Sequence, residues 1–154
     1  KGPTTEVRNS IKALLKIESP DDILQQRTPQ GKFLFKRFQK INVQYEDLLH
    51  RAKKSVGKDK LIVFEYTEQQ WSFTAELSNE MAALNPDKVI IITRRKSGEM
   101  KTSLRAQFPI ADKLQKALVG INGFGGGHPN ACGAVIKEED WELFLSNFRR
   151  ELES

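Results

Sequence analysis

Residues 123 to 134 read GFGGGHPNACGA and gather five glycines, one of the chain's two histidines and its only cysteine into twelve positions. An imidazole among residues that lack side chains is suited to holding an anion. Clustered glycines can turn successive backbone N–H groups inward as a nest for phosphate, and they let a ligand touch the main chain. His128 then supplies a ring N–H at the edge of the nest. A flexible loop with an incidental histidine is the plainer reading of the same residues. The common phosphate loops do not fit. No Gly-Lys-Ser or Gly-Lys-Thr triplet closes a Walker loop. The dinucleotide fingerprint needs its glycines after a strand and before a helix, and here they follow a helical segment and precede a strand. Cys132 lies four residues from His128, but a small buried thiol packs much as alanine does, and it reads as core rather than as a nucleophile.

A second stretch adds cations. From Met100 to Gln107 the chain alternates, with Met100, Thr102, Leu104 and Ala106 on one face and Lys101, Ser103, Arg105 and Gln107 on the other. The first face suits a core. The second sets two cations, a hydroxyl and an amide in a row, and an arginine fork can grip two phosphate oxygens at once. Lys101 and Gln107 read as a solvated surface.

The elements that must position these residues fall into two parts. Val7, Ile11, Leu14 and Leu15 suit a short helix that stops at Ser19-Pro20, and Asp21-Asp22 opens another short turn that ends before Pro29. Leu34, Phe38, Ile41, Tyr45, Leu48 and Ala52 then alternate steps of four and three, the seam of one long helix that Gly57 ends. Beyond Gly57 strands alternate with helices. Leu61–Tyr66 and Val89–Ile92 read as buried strands, with an apolar helix face from Phe73 to Leu84 between them. The Met100 strand follows a Ser97-Gly98 turn, a helix runs from Ile110 to Ile121, Ala131–Ile136 is a last strand, and a helix from Trp141 to Phe148 closes the chain. The expected fold is α/β, a mixed four- to five-stranded sheet flanked by helices and preceded by an N-terminal helical linker.

The chain's 154 residues suffice for one good core, and 38% apolar with 29% charged residues is an ordinary folded composition. Apolar runs such as Leu61–Phe64 are too short to span a membrane, and no charged-then-apolar leader opens the chain. The single cysteine excludes an internal disulfide and fits a reducing, cytoplasmic setting. Net charge is +5, with twelve Lys and Arg against six acids in residues 1 to 56. That bias suits contact with a polyanion or a solvated helix face. The first residue is Lys, so the chain reads as a piece of something longer.

TSLRA at 102 to 106, followed about twenty residues later by GGGHPNACGA at 125 to 134, resembles the DHH-associated C-terminal domain of DHH-family phosphoesterases. That group includes RecJ-type single-strand exonucleases, nanoRNases and cyclic-dinucleotide phosphodiesterases. The resemblance covers residues 58 to about 152, and the substrate-binding domain that it implies is taken as 58–154. It implies substrate or phosphate binding by Ser103, Arg105, Gly125, Gly126, Gly127, His128 and Asn130. It also implies that residues 1–30 are the tail of a catalytic domain lying elsewhere, and that 31–57 form a connector helix. Cys132 departs from the family's usual alanine.

The family's catalytic half uses Asp-His-His and further aspartates to hold two Mn²⁺ (or Mg²⁺) ions. Here neither His50 nor His128 adjoins an aspartate, so no catalytic residue, cofactor or metal site is expected within this chain. The implied partners are single-stranded nucleic acid, an oligonucleotide or a nucleotide phosphate, together with the parent's catalytic domain. A homodimer through the connector helix is a further expectation, and a membrane is not. Two rivals stand beside this reading. One is a non-catalytic protein-interaction module working through the Leu34–Val56 seam. The other is the related RNA-binding domain of alanyl-tRNA synthetases, whose longer glycine run is followed by Arg-Pro where this chain has His128-Pro129.

Overall fold

The computed structural model describes residues 4–67 and 70–154. These divide into two compact units, with the boundary between His50 and Arg51. The first contains α1 (Thr4–Leu14), α2 (Pro20–Leu24) and most of α3 (Pro29–Lys54). Ser19 starts α2 with a capping box. Its hydroxyl accepts from Asp21 N at 3.3 Å, while Asp22 Oδ2 accepts from Ser19 N at 3.2 Å. The first turn of α3 lies so close to α2 that a Cβ on Gly31 would sit 1.9 Å from the Asp22 carbonyl oxygen. Arg37 reaches Glu6 of α1 at 3.0 Å.

The expected seam on α3 forms only in part. Leu48 and Ala52 are buried and Leu34, Ile41 and Tyr45 half-buried, but Phe38 is 57% exposed. The step pattern marks one side of a helix, and nothing in it states what covers that side along its whole length.

The second unit is built on one sheet of β1 (Leu61–Tyr66), β2 (Val89–Lys96), β3 (Glu99–Arg105), β4 (Gly123–His128) and β5 (Ala131–Lys137), in the order β1-β2-β3-β5-β4. β1 and β2 are parallel and joined by α4 (Thr74–Leu84); every other pair is antiparallel. The architecture is mixed α/β, with the N-terminal helices preceding the sheet.

Each face has its own cover. Val89, Ile91, Met100, Leu104, Cys132, Ala134 and Ile136 form the main core with α5 (Ala111–Ala117) and α6 (Trp141–Glu153). Thr93 and Thr102 share a buried hydroxyl–hydroxyl bond of 2.8 Å on that side. A short 3₁₀ turn, Glu138–Asp140, leads into α6, and Trp141 Nε1 donates to Glu65 at the end of β1. On the opposite face α4 packs against β2 and β3 through Leu77, Ser78 and Met81. Tyr66 lies under the segment that enters α4; its hydroxyl accepts from Phe73 N at 2.8 Å, and burial pushes its ionisation up.

The glycines differ from their sequence expectation. Gly123–His128 is an edge strand, not a loop curled into a nest. Extended backbone cannot converge successive N–H groups on one anion, because they alternate to either side of the strand. Glycine is disfavoured in strands, but here contact with β5 demands it. A Cβ on Gly125 would fall 2.7 Å from Gly133 O and 2.8 Å from Ala134 Cβ, and Gly127 holds φ at +147°.

Candidate functional site

Register brings the expected residues into rows across three strands. Arg105 of β3 pairs with Ala131 of β5, which pairs with His128 of β4. The next row is Ser103, Gly133 and Gly126, and the third is Lys101, Val135 and Phe124. Residues directly opposite one another share a face, so Lys101, Ser103, Arg105, Gly126, His128 and Phe124 lie on the face that carries α4. Because α4 packs on β2 and β3, the β5–β4 end of this face is open. Arg105 and His128 are two strand spacings apart, about 10 Å.

Gly125 and Gly127 contribute differently. Lys137 N donates to Asn122 O at 2.9 Å, and this fixes which pairs of the hairpin exchange hydrogen bonds. Counting from it, Gly125 and Gly127 occupy the alternate pairs, whose N–H and C=O groups point away from β5 toward the sheet edge. Gln115 of α5 uses that edge, donating to Gly125 O at 3.0 Å. The glycine motif therefore offers outward N–H groups along a strand rather than a closed nest.

Arg105 is already partly engaged. Its Nε donates to Asn79 Oδ1 at 2.8 Å, and its Nη1 donates to Leu104 O at 2.8 Å and to Cys132 O at 3.2 Å. Nη2 makes no hydrogen bond among the described residues. The guanidinium is thus held by three acceptors with one amine left to meet a ligand, where the sequence suggested a free two-pronged fork. Asn79, in the exposed part of α4, escaped sequence reading because a polar residue on a helix surface carries no signal of its partner.

Ser103 is 9% exposed, at the floor of the face beneath α4 rather than in solvent. Asn130 forms the hairpin turn with Pro129 and works through its backbone. Its carbonyl accepts from Ala106 N at 3.1 Å, and the Pro129 carbonyl accepts from Ile110 N at 2.7 Å. These bonds tie the turn to the end of β3 and the start of α5.

Cys132 belongs to the core, as expected. It is 2% exposed and its Sγ donates to His128 O at 3.2 Å. Burial pushes the thiol's pKa up, and the Arg105 charge opposes this more weakly. A thiol held protonated is a poor nucleophile.

Further along the face Lys137 donates to Glu99 at 3.1 Å, and that bond holds the Glu99 carboxyl below its ordinary range. Between the N-terminus of α4 and the glycine strand lies an open groove of about 380 Å³, lined by Thr74, Lys101, Phe124, Gly126, Gly133 and Val135 among others. Among the described residues no group of three or more His, Cys, Asp or Glu side chains is placed to hold a metal ion. No helix among the described residues is long and apolar enough to cross a membrane.

A family model described as the DHHA1 domain matches residues 58–154. No curated protein matches the sequence. Among solved structures, RecJ from Thermus thermophilus in complex with Mg²⁺ superposes with a TM-score of 0.67 at 16% identity, covering 97% of this chain and 23% of that one. The pGpG-specific phosphodiesterase PggH from Vibrio cholerae gives 0.59 at 18% identity, covering 88% of this chain and 46% of that one. The C-Ala domain of Aquifex aeolicus alanyl-tRNA synthetase gives 0.53 at 14% identity, over 61% of this chain and 91% of that one. At such identities the likeness is one of fold. The chain spans about a quarter of RecJ and under half of PggH.

Proposed function

This chain belongs to the DHHA1 domain family, and from that premise we propose that its open sheet face binds the phosphates of a nucleic acid, oligonucleotide or nucleotide for a phosphodiester-cleaving enzyme. The observation that carries the reading is the row Arg105–Ala131–His128. It sets a fixed guanidinium at the margin of α4 and an exposed imidazole at the open end of the same face, with Ser103 and Gly126 in the adjoining row. A phosphate lying over Ala131 and Gly133 would accept from Arg105 Nη2 on one side and from the His128 ring on the other. No side chain from Gly133 or Gly126 intervenes. At the sheet edge the N–H groups of Gly125 and Gly127 would take a second phosphate oxygen.

The parent enzyme, on this reading, is a cytoplasmic DHH phosphoesterase. Mn²⁺ or Mg²⁺ bound by its separate catalytic domain would supply the activated water, while this chain orients the substrate. Exposed apolar residues of the first unit, among them Ile11, Leu15 and Val43, suit burial by that domain. Both RecJ and PggH are larger chains that contain this fold, and these parallels support the reading. The C-Ala likeness supports an RNA ligand equally at the level of fold. His128, placed in the row opposite Arg105, favours the phosphoesterase reading.

Titration calorimetry with a nucleoside monophosphate tests this. Arg105→Ala and His128→Ala should each weaken binding by about 1.5–3 kcal/mol, the scale of a charge-assisted hydrogen bond. Lys53→Ala with Lys54→Ala, at the end of α3, should leave the small ligand unaffected. Equal damage from the lysine pair would place the phosphate elsewhere, and absence of any binding by the native chain would favour an interaction module.

A further inference from the structure

We propose that Phe124 is a base-stacking platform, the point at which this face grips a nucleobase of a single-stranded oligonucleotide. The inference rests on the phosphate-binding reading and extends it from one phosphate to a stretch of strand. Phe124 is 72% exposed, whereas Phe64, Phe73, Phe144, Phe148, Trp71 and Trp141 are each under 9% exposed. Other apolar side chains of this unit are also exposed, among them Phe108, Val119 and Leu143, but Phe124 is the aromatic ring that lines the groove beside the glycine strand. Its surroundings suit a flat occupant. The next residue along β4 on the same face is Gly126, with Gly133 opposite it, so no side chain flanks the ring on the His128 side. Lys101, two strands away in the same row, is exposed and lines the same groove.

Charge decides what kind of occupant. Lys101, Arg105 and Lys137 share this face, and Glu99 is the one acid in the same rows. A surface with that balance favours a polyanion over an acidic or neutral peptide. Base–aromatic stacking is tolerant of sequence because every base has a π-face, and Lys101, two strand spacings from the ring and 3.6 Å from Glu99, lies along the groove where a backbone would run. Distance sets the minimum ligand. Phe124 and His128 are four residues apart along one strand, about 13 Å. A mononucleotide held by its phosphate at His128 cannot span that gap, but a chain of two or three nucleotides can. Mononucleotide and oligonucleotide binding should therefore separate genetically.

Calorimetry on the 154-residue chain with a nucleoside monophosphate and a single-stranded tetranucleotide reads both sites. Phe124→Ala should weaken the tetranucleotide about 5- to 150-fold, the range for loss of one stacked base, and leave the monophosphate unchanged. Phe124→Trp should hold the tetranucleotide at least as well as the native chain, and Phe124→Leu, apolar but without a π-face, should not restore it. An abasic tetranucleotide should bind the native chain as weakly as the intact one binds Phe124→Ala. Because the ring is exposed, thermal melting of all three variants should match the native chain.

Equal tetranucleotide affinity for native and Phe124→Ala chains, with both ligands still weakened by Arg105→Ala, would overturn the platform and leave the phosphate site standing. Recovery by Phe124→Leu equal to that by Trp would overturn stacking in favour of plain apolar contact. Failure of the native chain to bind either ligand would instead remove the phosphate reading on which the platform rests.

Discussion

Arg105 shows how a single residue can be both conspicuous in sequence and misjudged in detail. Its type and its place on an alternating strand pointed to an anion, and the strand does carry it on the open face. Two of its three partners were invisible, because they come from other elements: Asn79 of α4 takes Nε, and the Cys132 carbonyl of β5 shares Nη1 with the Leu104 carbonyl of its own strand. Long side chains lose rotamer freedom when they bind, and one already held by neutral acceptors loses less. Asn79 is thus a positioning residue for the guanidinium. Asn79→Ala should weaken nucleoside monophosphate binding about 2- to 10-fold, less than Arg105→Ala, because the charge remains but must be ordered on binding. Asn79→Asp should weaken it further than alanine does, since a carboxylate at 2.8 Å from Nε would compete with phosphate for the same cation. Calorimetry of the two variants checks the order; an aspartate variant that binds like the native chain would exclude a role for this guanidinium.

The element that decides the site is β4, and it is the one that sequence reading did not find. Leu61–Tyr66 and Val89–Ile92 were legible because β-branched and aromatic residues in short runs favour a pleated, buried surface. The closing helix was legible from Trp141, Phe144, Leu145 and Phe148, all of them buried on one side. Gly123–His128 has no such signal. Its strand conformation is imposed by β5, and its composition by how close β5 comes, both properties of the pair rather than of the segment. The same limit applies to Ser103, whose burial under α4 depends on a helix upstream of it in the chain.

The hairpin makes a prediction that separates packing from function. At Gly125 an added methyl meets Gly133 O at 2.7 Å and Ala134 Cβ at 2.8 Å, whereas at Gly126 the nearest atom is Gln115 Nε2 at 3.9 Å. Gly125→Ala should therefore cost about 1–3 kcal/mol of stability, as overpacking does. Gly126→Ala should be neutral or gain up to about 1 kcal/mol by restricting the unfolded chain, yet weaken nucleotide binding by placing a methyl on the open face beside Ser103 and Gly133. Denaturant melts paired with calorimetry would show the two effects crossing. Equal destabilisation by both substitutions would rule out an extended β4 packed this closely on β5.

At the scale of the whole molecule, the proposed division of labour gives this chain the binding surface and places the metal-dependent chemistry in a separate domain. Phosphodiester hydrolysis at neutral pH needs an activated water and neutralisation of charge building on the phosphate, which bound metal ions supply together. The described residues place no cluster of three or more His, Cys, Asp or Glu side chains to hold such ions, and the one buried thiol is held protonated. What they do place is an arginine, a histidine, outward N–H groups and an exposed aromatic ring on one face and edge of a sheet, a set that on the proposed reading would bind a phosphodiester without attacking it. Uniform binding of this kind lowers the substrate concentration an enzyme needs but leaves the chemical barrier untouched. The purified chain should therefore bind a single-stranded oligonucleotide and release it intact, with no metal-dependent cleavage when Mn²⁺ or Mg²⁺ is added at millimolar concentration. Following the ends of a labelled oligonucleotide over hours at high protein concentration is the decisive measurement. Turnover that required Mn²⁺ and vanished in Arg105→Ala would mean that this face holds reacting atoms itself, and the division between a binding half and a catalytic half would have to be abandoned.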